Sequence, residues 1–286
     1  MNHAPLPNEL TDPLPSRIDL RLVVSDMDGT LMDGTRRVPA GFTDMAARMR
    51  SRGILFVPAS GRQLANLHHV LGDAIDDTPV IAENGALVKQ GATEIHSDTM
   101  SAADVVTVVT AVRSLREQGY DVGAVMACKQ SAYIERADAR FITMCDTYYT
   151  ALAVVDDLLA LNRAEVLKVA VYDFGDAEEG SAAALGQAAP GLQTVVSGKH
   201  WTDIMPKAVS KGRALAAIQA RFGIAPAQTA VFGDYLNDLD LYDHAELSFA
   251  MANAHPRITA TARYRAPANT EDGVLRTIAE LLTRQG

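Results

Sequence analysis

From residue 20 onward, short runs of apolar residues alternate with amphipathic stretches. This is how a parallel sheet wrapped by helices is written in sequence, because its strands are buried on both faces. Residues 20–25 read as a first strand. A helix over about residues 40–52 closes at Gly53, and the run from Ile54 to Val57 reads as a second buried strand. A helix over about 63–71 and a third strand at 79–82, ending at Glu83-Asn84-Gly85, complete a predicted βαβαβ unit.

The texture changes after Ala86. Ser101 can cap a helix whose apolar residues, Val105, Val108, Val109, Val112 and Leu115, recur at steps of three and four before Gly119. Strands at 122–127 and 132–135 stand only a few residues apart and predict an antiparallel hairpin. A strand at 166–172, a helix near 177–187 and strands at 192–196 and 201–204 extend this mixed segment. Parallel-sheet grammar then resumes with a helix over 210–222, a strand at 229–232, a helix from Asn237, a strand at 247–250 and a last helix from Asp272. The expected organisation is an α/β core at residues 19–86 and 202–286, an inserted α/β cap at 87–201, and a loose tail over residues 1–18 rich in Pro5, Pro7, Pro13 and Pro15.

Composition narrows the partners. With 286 residues and 48% hydrophobic content, the chain can bury two cores. A formal net charge of −9 argues against nucleic acid, which is bound through basic faces. No segment is apolar for long enough to span a membrane, and the start lacks a basic region followed by an apolar stretch, so a soluble cytoplasmic protein is expected. The two cysteines, Cys128 and Cys145, match neither a redox pair nor a zinc ligand set and read as buried thiols.

Four strand ends carry the chemistry. The first strand runs into Asp26-Met27-Asp28-Gly29-Thr30, which puts two carboxylates where open α/β sheets bind ligands. An EF-hand begins with similar residues, yet Arg37 stands where its twelfth-position glutamate is required. The second strand closes with Ala59-Ser60-Gly61-Arg62 before a helix, so the Ser60 hydroxyl and nearby N–H groups can hold a phosphate at the helix's positive end. Ser210-Lys211-Gly212 begins another helix, where the lysine can place its ammonium on a phosphate oxygen. Gly233-Asp234-Tyr235-Leu236-Asn237-Asp238 ends a further buried strand, with Asp234 the natural additional metal ligand. Turns and helix caps explain one or two such residues. They do not explain four polar clusters, each following an apolar strand.

In their order and spacing these motifs resemble the haloacid dehalogenase superfamily, and within it the Cof-like phosphatase branch with a large α/β cap. Glu83-Asn84-Gly85-Ala86, Met251-Ala252-Asn253-Ala254 and Glu271-Asp272-Gly273-Val274 are similar to local signatures of that branch. The resemblance implies a Rossmann-like parallel-sheet core and a Mg²⁺-dependent phosphatase of small phosphorylated metabolites, such as sugar phosphates or phosphorylated cofactors. It makes Asp26 the nucleophile that forms an aspartyl-phosphate and Asp28 the acid and base. Metal ligands would be Asp26, the backbone carbonyl of Asp28, and Asp234. Asp238 would orient the metal's ligands and Thr30 would steady Asp28. Ser60, Gly61, Lys211 and Asn237 would hold the phosphoryl oxygens, and the cap would set specificity in a monomer or homodimer.

Two other readings stand beside this one. A phosphomutase of the same superfamily would pass the phosphoryl group to a second hydroxyl, and a non-catalytic phosphometabolite-binding protein would keep the fold alone. Other signals are poor. Ser197-Gly198-Lys199-His200 lacks the spacing and the Ser or Thr of a P-loop. His68 and His69 are adjacent on a helix, so they face different ways. Met126, Met144, Tyr148 and Tyr149 read as cavity lining or packing.

Overall fold

The computed structural model describes residues 14–286. In chain order its regular elements are β1 (Leu22–Ser25), α1 (Phe42–Arg50), β2 (Leu55–Pro58), α2 (Leu64–Leu71), β3 (Val80–Ala82), β4 (Leu87–Gln90), β5 (Thr93–Ser97), α3 (Ala102–Glu117), β6 (Val122–Cys128), β7 (Ala132–Ile134) and α4 (Ala139–Asp146). They continue as β8 (Leu152–Val154), β9 (Val166–Asp173), α5 (Ser181–Ala188), β10 (Leu192–Gly198), β11 (Trp201–Pro206), α6 (Lys211–Phe222), β12 (Thr229–Gly233), β13 (Leu247–Met251), α7 (Pro256–Thr261), β14 (Tyr264–Ala266) and α8 (Gly273–Thr283). These fall into two compact units. One takes the chain up to Val57 together with Gln219–Gly286, and the other is Pro58–Ile218. The expected boundaries at 86/87 and 201/202 thus lie inside the second unit.

The first unit is built on a sheet ordered β14-β13-β12-β1-β2. β1, β12, β13 and β14 pair in parallel, with Val24 opposite Val231 and Phe232 opposite Phe249. Leu22, Val23 and Val24 are fully buried, as expected for strands covered on both faces. Phe232 and Phe249 stack across neighbouring strands with ring centroids 4.8 Å apart. α8 turns Val274, Leu275, Ile278, Leu281 and Leu282 inward, the three- and four-residue spacing that one helical face requires. Of the expected tail, residues 1–13 lie outside the described residues. Ile18 is buried, and its amide donates to the Arg284 carbonyl at 2.9 Å.

The second unit holds two sheets. β3, β4 and β5 form an antiparallel three-stranded sheet, and β10-β11-β9-β6-β7-β8 form a six-stranded one. α3 and α5 cover one face of the larger sheet with Val105, Val108, Val109, Val112, Leu115 and Leu185, while α4 covers the other with Phe141 and Cys145. Ser101 caps α3 as expected, its hydroxyl oxygen accepting from the Asp104 amide. The β6–β7 hairpin is antiparallel as predicted, with Val125 opposite Ile134.

Two expectations need correction. Within the second unit, Ile81 of β3 forms an isolated parallel bridge with Ala59, and the ladder of β3 runs antiparallel to β4. The reason is local: Glu83, Asn84 and Gly85 take φ values of 51°, 58° and 100°, and this left-handed run turns the chain back on itself. The helix expected from Asn237 is a 3-10 helix, Leu236–His244, in a stretch whose aspartates favour turns over α-helix. Of the residues read as cavity lining or packing, Met126 packs in the core on the α3 side.

Candidate active site

The candidate residues divide between the units. Asp26, Asp28, Thr30, Asp234, Asn237 and Asp238 belong to the first unit, and Ser60, Gly61 and Lys211 to the second.

In the first unit the parallel register does the positioning. Ser25 lies opposite Phe232, so β1 and β12 release Asp26 and Asp234 at the same edge of the sheet. The Asp26 amide, bonded to the Phe232 carbonyl at 3.0 Å, fixes where the chain leaves the ladder. Asp26, Asp234 and Asp238 each present a carboxylate oxygen within 4.8 Å of the others. Asp238 is fully buried, and its Oδ2 accepts from the Asp234 and Tyr235 amides at 3.0 and 3.2 Å. It therefore shapes the turn that presents Asp234. Asp28 is exposed, and its backbone pairs with Met32 in an isolated bridge.

Thr30 departs from expectation. Its hydroxyl donates to Oδ1 of Asp234 at 2.9 Å, so it steadies Asp234 in place of Asp28. Gly29 lies under the same carboxylate: a Cβ there would stand 2.4 Å from Asp234 Oδ2, and its φ of +83° disfavours any side chain. Asn253 donates its amide to the Gly29 carbonyl at 2.8 Å, and Asn269 donates to the Met32 carbonyl at 2.8 Å. The Met251-Ala252-Asn253-Ala254 signature thereby acquires a physical role that spacing alone could not show. Beneath the centre, the Tyr242 hydroxyl donates to the carbonyls of Gly233 and Phe249 at 3.2 Å. Burial, reinforced by the charges of Asp238, Asp234 and Asp26, keeps it protonated far above the usual tyrosine range.

Three clustered carboxylates repel one another, and a divalent cation offsets that repulsion. All three offer hard oxygen donors of the kind Mg²⁺, Mn²⁺ and Ca²⁺ take. The donor set therefore fits the expected metal.

In the second unit, Ser60 is buried in a turn whose amide bonds to the Ile81 carbonyl at 2.9 Å. Its Oγ accepts from the Arg62 amide at 3.2 Å. Lys211 is buried and opens α6, and the Ser210 hydroxyl oxygen accepts from the Arg213 amide at 3.1 Å. Gly85 approaches this helix start so closely that a Cβ would meet the Ser210 carbonyl oxygen at 2.2 Å, which accounts for the glycine of the Glu83-Asn84-Gly85-Ala86 signature.

The weaker signals resolve as packing or turns. Ser197-Gly198-Lys199-His200 joins β10 to β11, where His200 Nδ1 contacts the Asp173 and Gly175 carbonyls. Tyr148 and Tyr149 pack edgewise or tilted on Trp201. Cys128 and Cys145 are buried free thiols, and burial pushes both up to about 12.

An open parallel sheet with an acidic centre at the carboxyl ends of adjacent strands places the chain among α/β proteins that bind ligands at that edge. More narrowly, the chain belongs to the haloacid dehalogenase-like hydrolase family, which it matches over residues 23–278, and within it to the Cof-like phosphatases. It is 28% identical over 280 residues to the 5-amino-6-(5-phospho-D-ribitylamino)uracil phosphatase YbjI of Escherichia coli strain K12, covering 94% of this chain and 98% of that one. It is 25% identical to the HMP-PP phosphatase of Shigella boydii, over 84% of this chain and 91% of the relative. Among solved structures, a haloacid dehalogenase-like hydrolase from Bacteroides thetaiotaomicron shares the fold with a TM-score of 0.82 at 19% identity, covering 92% of this chain and 99% of the other. The expected fold class and the expected class of enzyme, a phosphoric monoester hydrolase, agree with these relatives. Among the described residues no helix is long and apolar enough to cross a membrane.

Proposed function

We propose that the chain is a Mg²⁺-dependent phosphatase that removes phosphate from a small phosphorylated metabolite through an aspartyl-phosphate on Asp26. The observation that carries this reading is the acidic centre of Asp26, Asp234 and Asp238, held by Thr30, Gly29 and the Asp234–Asp238 turn in a chain of this hydrolase family.

In this reading a carboxylate oxygen of Asp26 attacks phosphorus, and the bond to the substrate's ester oxygen breaks. Asp28, whose side chain reaches solvent, gives its proton to the leaving alkoxide. It then takes a proton from the water that cleaves the acyl-phosphate, which releases inorganic phosphate and restores Asp26. Asp26, the Asp28 carbonyl and Asp234 hold the metal, which when bound neutralises charge on the transferring group. Asp238 keeps the Asp234 turn in place. Ser60, Gly61, Lys211 and Asn237 bind the phosphoryl oxygens, with the Lys211 ammonium as the cationic clamp.

The substrate class is a phosphorylated cofactor-like metabolite, supported by relatives named for phosphatase action on a phosphoribitylamino-uracil and on HMP-PP. The net charge of −9 agrees with a small anion bound locally and not with a polyanion. The test is a panel of phosphorylated metabolites with and without Mg²⁺, assayed for free phosphate. Mg²⁺-dependent release from at least one member is expected, and silence across the panel at high enzyme concentration would sink the reading. Appearance of a phosphorylated isomer in place of free phosphate would show a mutase.

A further inference from the structure

Three consecutive carbonyls of the Ser60 turn are each tied down within the second unit. The Ser60 carbonyl accepts from the Asn84 amide at 2.9 Å, and the Arg62 carbonyl accepts from the Glu83 amide at 3.0 Å. Between them, the Gly61 carbonyl accepts from Nζ of Lys168 at 2.9 Å. The first two donors are backbone groups of a neighbouring turn. The third is a side chain sent from β9, near the middle of the six-stranded sheet.

Lys168 is 2% exposed and sits between Leu167 and Val169, both fully buried. An apolar residue would continue that strand at no electrostatic cost, whereas a buried ammonium is strongly unfavourable unless it is paired. Here its charge is offset: besides the hydrogen bond to the Gly61 carbonyl, Nζ lies in ion-pair contact 3.1 Å from Glu83 Oε2 and 3.1 Å from Asp203 Oδ1, while neither Glu83 oxygen has a hydrogen-bond partner among the described residues. The other Asp203 oxygen accepts from the Asn84 side chain at 2.9 Å. Burial works against the Lys168 charge, yet Asp203 and Glu83 hold its pKa well above the usual lysine value. Burial also raises Glu83, against the pull of Lys168.

The peptide bond carries this anchoring to the chemistry. Because the unit is planar, fixing the Gly61 oxygen fixes the Arg62 N–H in the opposite direction. That N–H is the donor to Ser60 Oγ at 3.2 Å, and it turns the hydroxyl proton away from Arg62. The loop also has no slack, since a Cβ on Gly61 would stand 2.9 Å from Asn84 Oδ1.

We propose that Lys168 is a positioning residue: it locks the Gly61–Arg62 peptide plane so that the Ser60 hydroxyl and the loop's N–H groups meet the phosphoryl group in one fixed orientation. The proposal rests on the phosphatase reading for its ligand. It assigns the lysine no contact with substrate, and its whole effect passes through the Ser60 turn.

The test is calorimetric binding of inorganic phosphate to the Mg²⁺-loaded protein. Lys168→Met alone would strand two buried carboxylates, so it is combined with Glu83→Gln and Asp203→Asn, which keep size and remove charge. The triple variant is expected to bind phosphate about tenfold more weakly, with Mg²⁺ affinity and melting temperature near those of the parent. Lys168→Arg, which keeps the charge but not a single ammonium among three oxygens, is expected to show a smaller loss of the same sign. Added to Ser60→Ala, the triple change is expected to weaken binding by less than about twofold more, because residues acting as one unit are not additive. Unchanged phosphate affinity in both Lys168 variants, penalties that multiply with Ser60→Ala, or a parent protein that binds no phosphate would each overturn the positioning role. A parent that binds phosphate but hydrolyses no ester refutes the functional reading, and the affinity comparison still decides the role of Lys168.

Discussion

Thr30 and Asp234 stand 204 positions apart in the chain and are joined by one hydrogen bond of 2.9 Å, from the threonine hydroxyl to Oδ1 of the aspartate. The bond spans two adjacent strand ends and leaves Asp234 Oδ2 facing the Gly29 backbone. Removing it should loosen the carboxylate without removing it. Thr30→Val is therefore expected to weaken Mg²⁺ binding by roughly tenfold, the usual cost of losing a partner that orients a ligand. Calorimetric Mg²⁺ titration checks this, and an unchanged affinity would show that Asp234 is oriented by other contacts.

Gly29 and Gly53 offer a matched comparison. Both have positive φ, +83° and +72°, but a Cβ at Gly53 meets nothing within 4 Å, whereas one at Gly29 meets Asp234 Oδ2 at 2.4 Å. Gly53→Ala should cost only backbone strain, about 1 kcal/mol, and spare turnover. Gly29→Ala should carry the same strain and in addition push the Asp234 carboxylate aside, lowering turnover at least tenfold. Equal turnover in the two variants would show that the close approach at Gly29 has no bearing on the chemistry.

Asp26→Asn replaces the anionic nucleophile by an amide of nearly the same shape. Turnover should fall by about 10⁴-fold or more, as when other catalytic nucleophiles are removed. Stability should move the other way: the metal-free variant, relieved of one charge in a cluster of three, should melt no lower than the parent. The rise in melting temperature on adding Mg²⁺ should shrink, because less binding free energy is linked to folding. Turnover close to that of the parent in a homogeneous preparation would remove Asp26 from the nucleophile's place.

How much of this was readable beforehand depends on whether a residue's partner is local or distant. β1, β12 and α3 were legible because burial on both faces, or along one helical stripe, leaves its own period in the chain. The Asp26 and Asp234 motifs were legible because each follows a buried strand. α4 and β8 were missed: both are short and only partly apolar, and α4 announced itself by little more than the Asp138 cap. The family resemblance points the Thr30 bond at the nearer Asp28, and only the parallel pairing of β1 with β12 brings in Asp234. Lys168 was invisible for the same reason. Alone in an apolar strand it reads as a stem with a solvated head, and Gly61, Glu83 and Asp203 reach it only through the fold.

Away from the acidic centre, Arg113 on α3 grips Glu135 beyond β7 with two hydrogen bonds, Nε to Oε1 at 2.9 Å and Nη2 to Oε2 at 2.5 Å. The Leu158 amide adds a third at 3.3 Å. The guanidinium hydrogen bonds hold the Glu135 carboxyl below its ordinary value of 4.5 despite partial burial. The sign follows from linkage: a carboxyl with a depressed folded pKa adds stability that is complete above 4.5 and is lost as pH falls through the folded value. Glu135→Gln keeps the shape and one acceptor while removing the charge. At pH 7 the variant should be less stable by about 1 kcal/mol, as for a well-formed but partly exposed ion pair. Asp157, which Arg113 also contacts at 2.5 Å, titrates in both proteins and largely cancels from the difference. The gap in melting temperature between parent and variant should therefore be constant from pH 8 down to about 5 and close progressively below 4.5. A gap that persists unchanged to pH 2, or that opens only in acid, would mean that the pair's charge contributes nothing to holding α3 against the β7 end of the sheet.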